Sequence, residues 1–470
     1  MMNDFFILLK QELVITVIIF ILLFIKVGSR ERSNNNILNL VNILLLANLV
    51  LGCVLNRDGH LFSNMFMTND LVVLEKTILN LGTLLISMLA YPWLKNHKHV
   101  LEFYILLLST LLGMFFMISS GNILMFYLGL ELSTIPLAAI VKFDLNRRQS
   151  SEGAMKLIIS SAFSSALFLF GISLLYGTTG SLDFGGITQK LDGSTLQLFS
   201  FILLLGGFGF KISIVPFHLW TADVYEGAPA AATAYLSVIS KAAFVFVFTS
   251  VLYTVFKTLS GSWYNMLYVL SILTMLVGNL FAIRQNNLKR FLAFSSIAQV
   301  GFILVGISGM SQIATTSVIY FLLIYIFSNL GAFAVIVLVS AVTGKENISD
   351  YKAFYTNNKL LSWVLTISLF SLAGIPPTAG FFGKFFLLMA GAGKGNYVLV
   401  GIAAANIVIS FYYYLKVVKA IFMDVNENPI EKIAIPVLPK TAMLVCVSGT
   451  LLIGFISWIY DYIYSLSFGF

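Results

Sequence analysis

Apolar residues in this chain fall in long runs, with no strand-like alternation. Runs near 5–26, 37–56, 71–93, 101–120, 122–142, 154–177, 196–219, 229–256, 265–283, 291–310, 313–341, 360–390, 396–422 and 437–463 are near the length of about 20 residues that a helix needs to cross a bilayer core. Backbone in hydrocarbon must satisfy its own hydrogen bonds, so the runs predict fourteen transmembrane helices. Turn chemistry marks the joints at 29–36, 56–60, 119–122, 178–194, 223–229, 285–287, 344–352 and 424–429, and no linker is long enough for a soluble domain. The first run is interrupted by Lys10, Gln11 and Glu12 and is followed by no small-residue cleavage signature, so it reads as a retained helix.

Composition supports this reading. Of 470 residues, 59% are hydrophobic and 10% charged, against about 25% charged in a soluble protein. Too few charged side chains remain to cover a water-facing surface, so a polytopic membrane protein is expected. The net charge of +8 is explained by topology. Taking joints in order, the odd ones hold Lys26, Arg30, Arg32, Lys95, Lys98, Lys142, Arg147, Arg148, Arg284, Lys289, Arg290, Lys345, Lys352, Lys359, Lys416, Lys419, Lys432 and Lys440. The even ones hold only Arg57, Lys190, Lys257 and Lys394. That bias assigns the odd joints to the cytoplasm and both termini to the outer side. Nucleic acid is not needed to explain the bases.

Ionisable groups inside apolar runs carry the functional signal, since each costs about 2.5–3.5 kcal/mol at the bilayer centre on insertion scales. Glu131 lies in LMFYLGLELSTIPL, Lys211 in GGFGFKISIVPFHLW, Lys241 in AAATAYLSVISKAAFVFVF and Lys384 in AGIPPTAGFFGKFFLL. A single lysine of this kind can snorkel to an interface or sit in a fixed ion pair. Three lysines cannot all be neutralised by one carboxylate, so some must be hydrated or titrate. A row of such groups outlines a proton relay. Lys156, four residues after Glu152, reads equally as a helix-surface pair and as an entry station.

Pro216 follows Lys211, Pro229 precedes Lys241, and Pro376-Pro377 precede Lys384 amid Gly374, Gly380 and Gly383, so these three helices are expected to be broken. Interrupted helices in corresponding halves point to an ion pathway built on repeats. Ser213, Ser237, Ser240, Ser295, Ser296, Gln299, Ser328 and Asn329 could line a polar axis or only bond between helices. His218, beside Trp220, reads as an interface residue, with proton shuttling as the alternative.

Other chemistry is missing from the sequence. The segments around Lys384 and Lys394 fail as phosphate-binding loops, with Phe385 and Gly395 where Ser or Thr is required. Cys53 and Cys446 lack a CxxC partner, and three of the four histidines, His60, His97 and His99, fall in loops. No cofactor or metal is expected in this chain.

The segments LGLEL at 128–132, SSEGAMKLIISSAFSSALFLFGISLLYGTTGS at 150–181 and FKISIVPFHLWTADVYEGAPAAATAYLSVISKAA at 210–243 are similar to a known family. So are GNLFAIRQNNLKRFLAFSSIAQVGF at 278–302, AGIPPTAGFFGKF at 373–385 and SFYYYLKVV at 410–418. Together they closely resemble the antiporter-like subunits of bacterial proton-pumping NADH–quinone oxidoreductase, respiratory complex I. The likeness runs from about Glu102 to Met423. Lys384 and the chain's end at Phe470 favour the subunit N type over its larger homologues.

The resemblance implies an all-α, fourteen-helix membrane-arm subunit with two inverted five-helix repeats, broken in helices 7 and 12. The implied segments are 1–95 for helices 1–3, 96–258 for the first repeat, 259–423 for the second and 424–470 for helix 14. It implies that Glu131 pairs with Lys211, that Lys241 connects, that Lys384 is the exit station and that Lys156 is linked to the pair. Gln299 stands where many relatives would carry histidine, and it cannot titrate near neutral pH. NADH, FMN, iron–sulfur clusters and quinone would belong to partner subunits in a bacterial inner membrane. The implied activity is proton translocation by a non-redox subunit of the oxidoreductase, and the rival reading is a monovalent cation/proton antiporter subunit.

Overall fold

The computed structural model describes residues 2–28, 33–54 and 56–469; Arg30 and Arg32 lie outside the described residues. The chain opens with α1 (Met2–Leu8), α2 (Lys10–Val27) and α3 (Asn34–Gly52), followed by an antiparallel hairpin of β1 (Gly59–Leu61) and β2 (Phe66–Thr68). Next come α4 (Asp70–Leu89), α5 (Tyr91–Leu94), α6 (Val100–Ile118), α7 (Ile123–Val141), α8 (Arg148–Thr179), α9 (Phe184–Lys190), α10 (Thr195–Ile212) and α11 (Leu219–Gly227). The helices α12 (Ala230–Tyr235) and α13 (Lys241–Thr254) are joined by a π turn at Leu236–Ser240. The second half holds α14 (Ser260–Ile283), α15 (Leu288–Ile307), α16 (Gln312–Thr343), α17 (Phe354–Asn357), α18 (Lys359–Ala373), α19 (Ala379–Ala392) and α20 (Tyr397–Phe422). The last helices are α21 (Val437–Leu452) and α22 (Ser457–Leu466).

Among the described residues, twelve helical segments are long and apolar enough to cross a membrane. The first expected span is interrupted at Leu9 and its longer part, α2, carries Lys10, Glu12 and Lys26. The twelfth is divided into the shorter apolar helices α18 and α19. Side chains cap the starts: Asn69, Asn122, Asn287 and Ser311 each accept a bond from a backbone N–H of the first turn.

Three expectations need correction. Pro229 does not break the helix bearing Lys241; it stands at the N-cap of α12, where its missing N–H is harmless. The irregularity there is the π turn. The apolar run 437–463 is not one helix, because a 3₁₀ turn at Ile453–Phe455 separates α21 from α22. The joint after the second helix holds the β1–β2 hairpin in place of a plain turn.

Helix pairs approach closely where glycine removes the side chain. A Cβ on Gly129 of α7 would lie 2.6 Å from the Met117 backbone nitrogen, and one on Gly113 of α6 would lie 2.5 Å from that of Ser133. The same device recurs between α14 and α15, where a Cβ on Gly278 would meet the Ala298 nitrogen at 2.5 Å. Such contact packs backbones where lipid gives helices no hydrophobic reason to associate. In the middle of the bundle α13, α15 and α16 are buried along nearly their whole length.

Joints alternate between two faces. At the odd face Leu288 N donates to Glu346 O at 2.9 Å, Ile348 N to Asn286 O at 2.7 Å and Asn34 Nδ2 to Lys95 O at 2.9 Å. At the even face Met67 N donates to Ser119 O at 2.7 Å and Ile123 N to Leu182 O at 2.9 Å. Both chain ends join that even face: Arg57 pairs with Asp4 at 3.0 Å, and Gln312 Nε2 donates to Tyr464 O at 2.9 Å. The sorting of bases between joints is therefore a sorting between faces.

Candidate functional site

The three lysines are buried within the bundle and Glu131 is half-buried, and each bonds to polar groups of the helices around it. Glu131 projects from α7 one turn before Thr134, and Pro136 further along removes a backbone donor from the same helix. The carboxylate accepts from Ser165 Oγ of α8 at 2.5 Å. Lys211 occupies the last turn of α10, and its ammonium donates to Thr134 Oγ1 at 2.9 Å and to Ser161 Oγ at 2.8 Å. Ser161 and Ser165 are one turn apart on α8. Glu131 and Lys211 therefore bond to different hydroxyls one turn apart, and among the described residues they make no direct ion pair, unlike the expected contact. They remain within electrostatic reach.

The chain breaks beside Lys211. Ser213 takes a left-handed conformation at φ 67°, and its hydroxyl accepts from Thr221 Oγ1 at 2.7 Å across the break. His218, in the same segment, is buried and its Nδ1 has no partner within the chain, so it does not mark an interface. The surrounding helices close over it.

Lys241 is the first residue after the π turn. Such turns put one extra residue into a helix and are frequent at functional sites. Its ammonium donates to Ser296 Oγ of α15 at 2.7 Å and lies 5.5 Å from the Tyr225 ring centroid. Among the described residues no carboxylate pairs with it. On the same face of α15, Ser295 bonds the Tyr414 hydroxyl, and Gln299 Nε2 donates to that hydroxyl at 3.2 Å and to Leu372 O at 2.9 Å.

Lys384 lies beside the second break. Its ammonium donates to Leu372 O and Ala373 O, both at 2.8 Å, and so caps the carbonyls left open where α18 ends. Gly374 permits this turn with φ 89°, and a Cβ there would lie 3.0 Å from the Lys384 stem. Gln299 and Lys384 thus share the Leu372 carbonyl. Ser328 and Ser371 bond each other at 2.6 Å beside them. Around these lysines, Tyr225 Oη, Ser237 Oγ, Tyr325 Oη, Gln299 Oε1 and Asn329 Oδ1 are buried and make no hydrogen bond of good geometry among the described residues. Polar atoms so placed call for bridging water.

The sequence did not reveal a charge network at the odd face. Lys156 contacts Glu152 at 2.7 Å and Asp223 of α11 at 2.6 Å; Asp223 also holds Arg290 at 2.6 Å, which reaches Glu226 at 2.9 Å. Below it, the fully buried Lys289 pairs with Glu346 at 3.0 Å and donates to Ala228 O at 2.9 Å. Lys156 therefore reaches Asp223 and not the Glu131–Lys211 hydroxyls. A cleft of about 720 Å³ between α7 and α8 runs from Lys142 and Ser151 to Glu131 and Ser161. A second unforeseen feature is the buried pair Glu12–Lys76, at 2.5 Å between α2 and α4. Its signal was the charges interrupting the first and third apolar runs.

Asp223 is the hinge of the odd-face network, which gives a direct expectation. Because its partners are about one-third exposed, Asp223→Asn should cost about 1 kcal/mol of stability or less. Near-normal thermal unfolding of the purified Asp223→Asn chain is the measurement that checks it.

Among the described residues no three His, Cys, Asp or Glu side chains are grouped so as to hold a metal. The family model described as NADH:quinone oxidoreductase/Mrp antiporter, transmembrane region, matches residues 120–410. The chain belongs to this family. The stretch matched contains all five sequence-predicted site residues, Glu131, Lys156, Lys211, Lys241 and Lys384. A relative in this antiporter family, NADH-quinone oxidoreductase subunit N of Azobacteroides pseudotrichonymphae, is 47% identical over 416 residues, covering 87% of each chain. A chain of respiratory complex I from Thermus thermophilus, solved with bound aureothin, is similar with a TM-score of 0.80 and 25% identity, covering 95% of this chain and 97% of that one. A chain of the Mrp complex from Dietzia sp. has a TM-score of 0.85 at 19% identity, covering 97% and 96%, which is likeness of fold alone.

Proposed function

We propose that this chain is a membrane-arm subunit of an NADH–quinone oxidoreductase and translocates protons along the line from Glu131 to Lys384. The observation that carries this reading is the bonding of three buried lysines to hydroxyls and carbonyls with no carboxylate paired to any of them among the described residues. Ammonium groups bound only to neutral acceptors can lose a proton without leaving a carboxylate stranded. Ion pairs fixed for packing alone would not be built this way.

In this reading a charge arriving from a partner subunit alters the Glu131–Lys211 coupling. A proton passes to Lys241 by way of water near Ser237 and Tyr225, then along Ser296 and Gln299 to Lys384, which discharges at the even face. Gln299 holds Tyr414 and the Leu372 carbonyl in place and is not itself a titrating station. Reloading uses the odd face, from Lys156 and the α7–α8 cleft. Each proton moved against 100 mV needs about 2.3 kcal/mol, which must come from NADH oxidation and quinone reduction in partner subunits carrying FMN and iron–sulfur clusters.

The finer architecture belongs to the same proposal. Fourteen crossings form two inverted five-helix repeats, over 96–258 and 259–423, preceded by three helices in 1–95 and followed by the last in 424–470. The basic odd face lies in the cytoplasm and both termini lie on the periplasmic side of a bacterial inner membrane. The broken pairs α10–α11 and α18–α19, each with a buried lysine beside the break, support the repeat. Native complex purified in mild detergent tests the assignment: flavin and iron–sulfur absorbance should co-elute with this chain. Sodium-dependent pH change without a chromophore would instead establish the cation antiporter.

A further inference from the structure

A buried carboxylate lies outside the polar line. Glu75 of α4 is six residues past the Asn69 cap, so it sits about 9 Å inside the even face at 1.5 Å per residue. It is 6% exposed, and among the described residues no group of the chain hydrogen-bonds or ion-pairs to its carboxylate. Lys76 beside it is committed to Glu12 on the other side of the helix.

The carboxylate faces a cavity. Its lining comprises Glu75, Thr249 and Ser250 of α13, Thr315 of α16, and apolar side chains including Phe468 of the C-terminal segment. None of the other lining residues is charged. The cavity is about 10 Å³, the room a single water occupies when polar groups surround it. Thr315 is 2% exposed and its hydroxyl has no partner within the chain. Thr249 gives its hydrogen to Val245 O at 2.9 Å, leaving its oxygen free to accept. A lone carboxyl, an unpartnered hydroxyl and a one-water space converge where packing alone would call for an apolar side chain.

We infer that Glu75 is a proton-binding station, exchanging with the aqueous phase at the even face through one water held by Thr249, Ser250 and Thr315. This deepens the proton-translocation reading and rests on it. On loading, an O–H bond of hydronium or water breaks as a carboxyl O–H forms on Glu75. On release, the carboxyl O–H breaks and the proton returns to water at the face carrying the chain ends. The site makes the first three helices participants in proton handling.

Infrared difference spectra of the whole complex in lipid nanodiscs, taken as NADH and quinone are added, test this. The expected result is a protonated-carboxyl band that is lost in Glu75→Gln and returns, shifted, in Glu75→Asp, with electron transfer kept in all three proteins. The same band in Glu75→Gln overturns the proposal. If Glu75→Gln fails to assemble, Thr315→Val, which keeps the carboxyl but removes its hydroxyl neighbour, must shift the band; an unshifted band overturns it too. Lys241→Met run in parallel separates the two readings. Loss of pumping there with an unaltered Glu75 band in Glu75→Gln leaves the relay standing without Glu75, whereas full pumping there sinks the relay itself.

Discussion

Lys211→Met is expected to abolish proton pumping in membrane vesicles while electron transfer from NADH to an artificial acceptor continues. The ammonium of Lys211 holds Thr134 and Ser161 together, one turn from the residues that hold Glu131. Methionine fills nearly the same volume, so the close packing of α7, α8 and α10 should survive. What disappears is a proton and the donor to two buried hydroxyls. Removing a positioned proton-transfer group slows such a step by about 10²–10⁴-fold, which in a coupled pump reads as loss of the pH gradient. Glu131→Gln should give the same phenotype, since Ser165, which holds Glu131, lies one turn from Ser161, which holds Lys211. A double variant no worse than either single one is the signature of a single unit. Retention of a full gradient in both single variants refutes the relay.

The second large effect is expected at Lys241. It donates to Ser296 and lies over the Tyr225 ring, and among the described residues no carboxylate holds its charge. Lys241→Met should therefore stop transfer between the halves with little change in stability, because removing a buried unpaired ammonium offsets the lost hydrogen bond. Lys241→Arg should not rescue: guanidinium stays protonated near neutral pH and cannot pass its proton on. Pumping assayed beside thermal unfolding distinguishes this from misfolding. Pumping by the arginine variant at the parent rate excludes titration of Lys241.

Where the sequence was informative, the reason was physical. A charge in an apolar run has few innocent explanations, so Glu131, Lys211, Lys241 and Lys384 stood out, and in the structure the three lysines are buried. The breaks at Ser213 and Gly374 were visible through Pro216 and Pro376-Pro377. The hydroxyls between Glu131 and Lys211 were not, because serine and threonine are common at helix contacts and only geometry selects Thr134, Ser161 and Ser165. Asp223, Glu226 and Arg290 were hidden for a different reason. Each lies near a joint, where charge is ordinary, and their meeting depends on two distant segments reaching one face. Glu12 looked like the polar end of a helix until Lys76 was found against it. Pro229 misled because proline signals a break only when it falls inside a helix.

The π turn at Leu236–Ser240 carries no residue signature, yet it decides where the neighbouring amine aims. A regular helix turns about 100° per residue, so the one surplus residue of a π turn rotates everything beyond it by that angle. Strike out a single residue between Ala230 and Ser240 and Lys241 would swing from Ser296 toward another quarter of the bundle, with every other letter of the helix unchanged. In that stretch of the chain, direction is set by arithmetic and chemistry merely follows it.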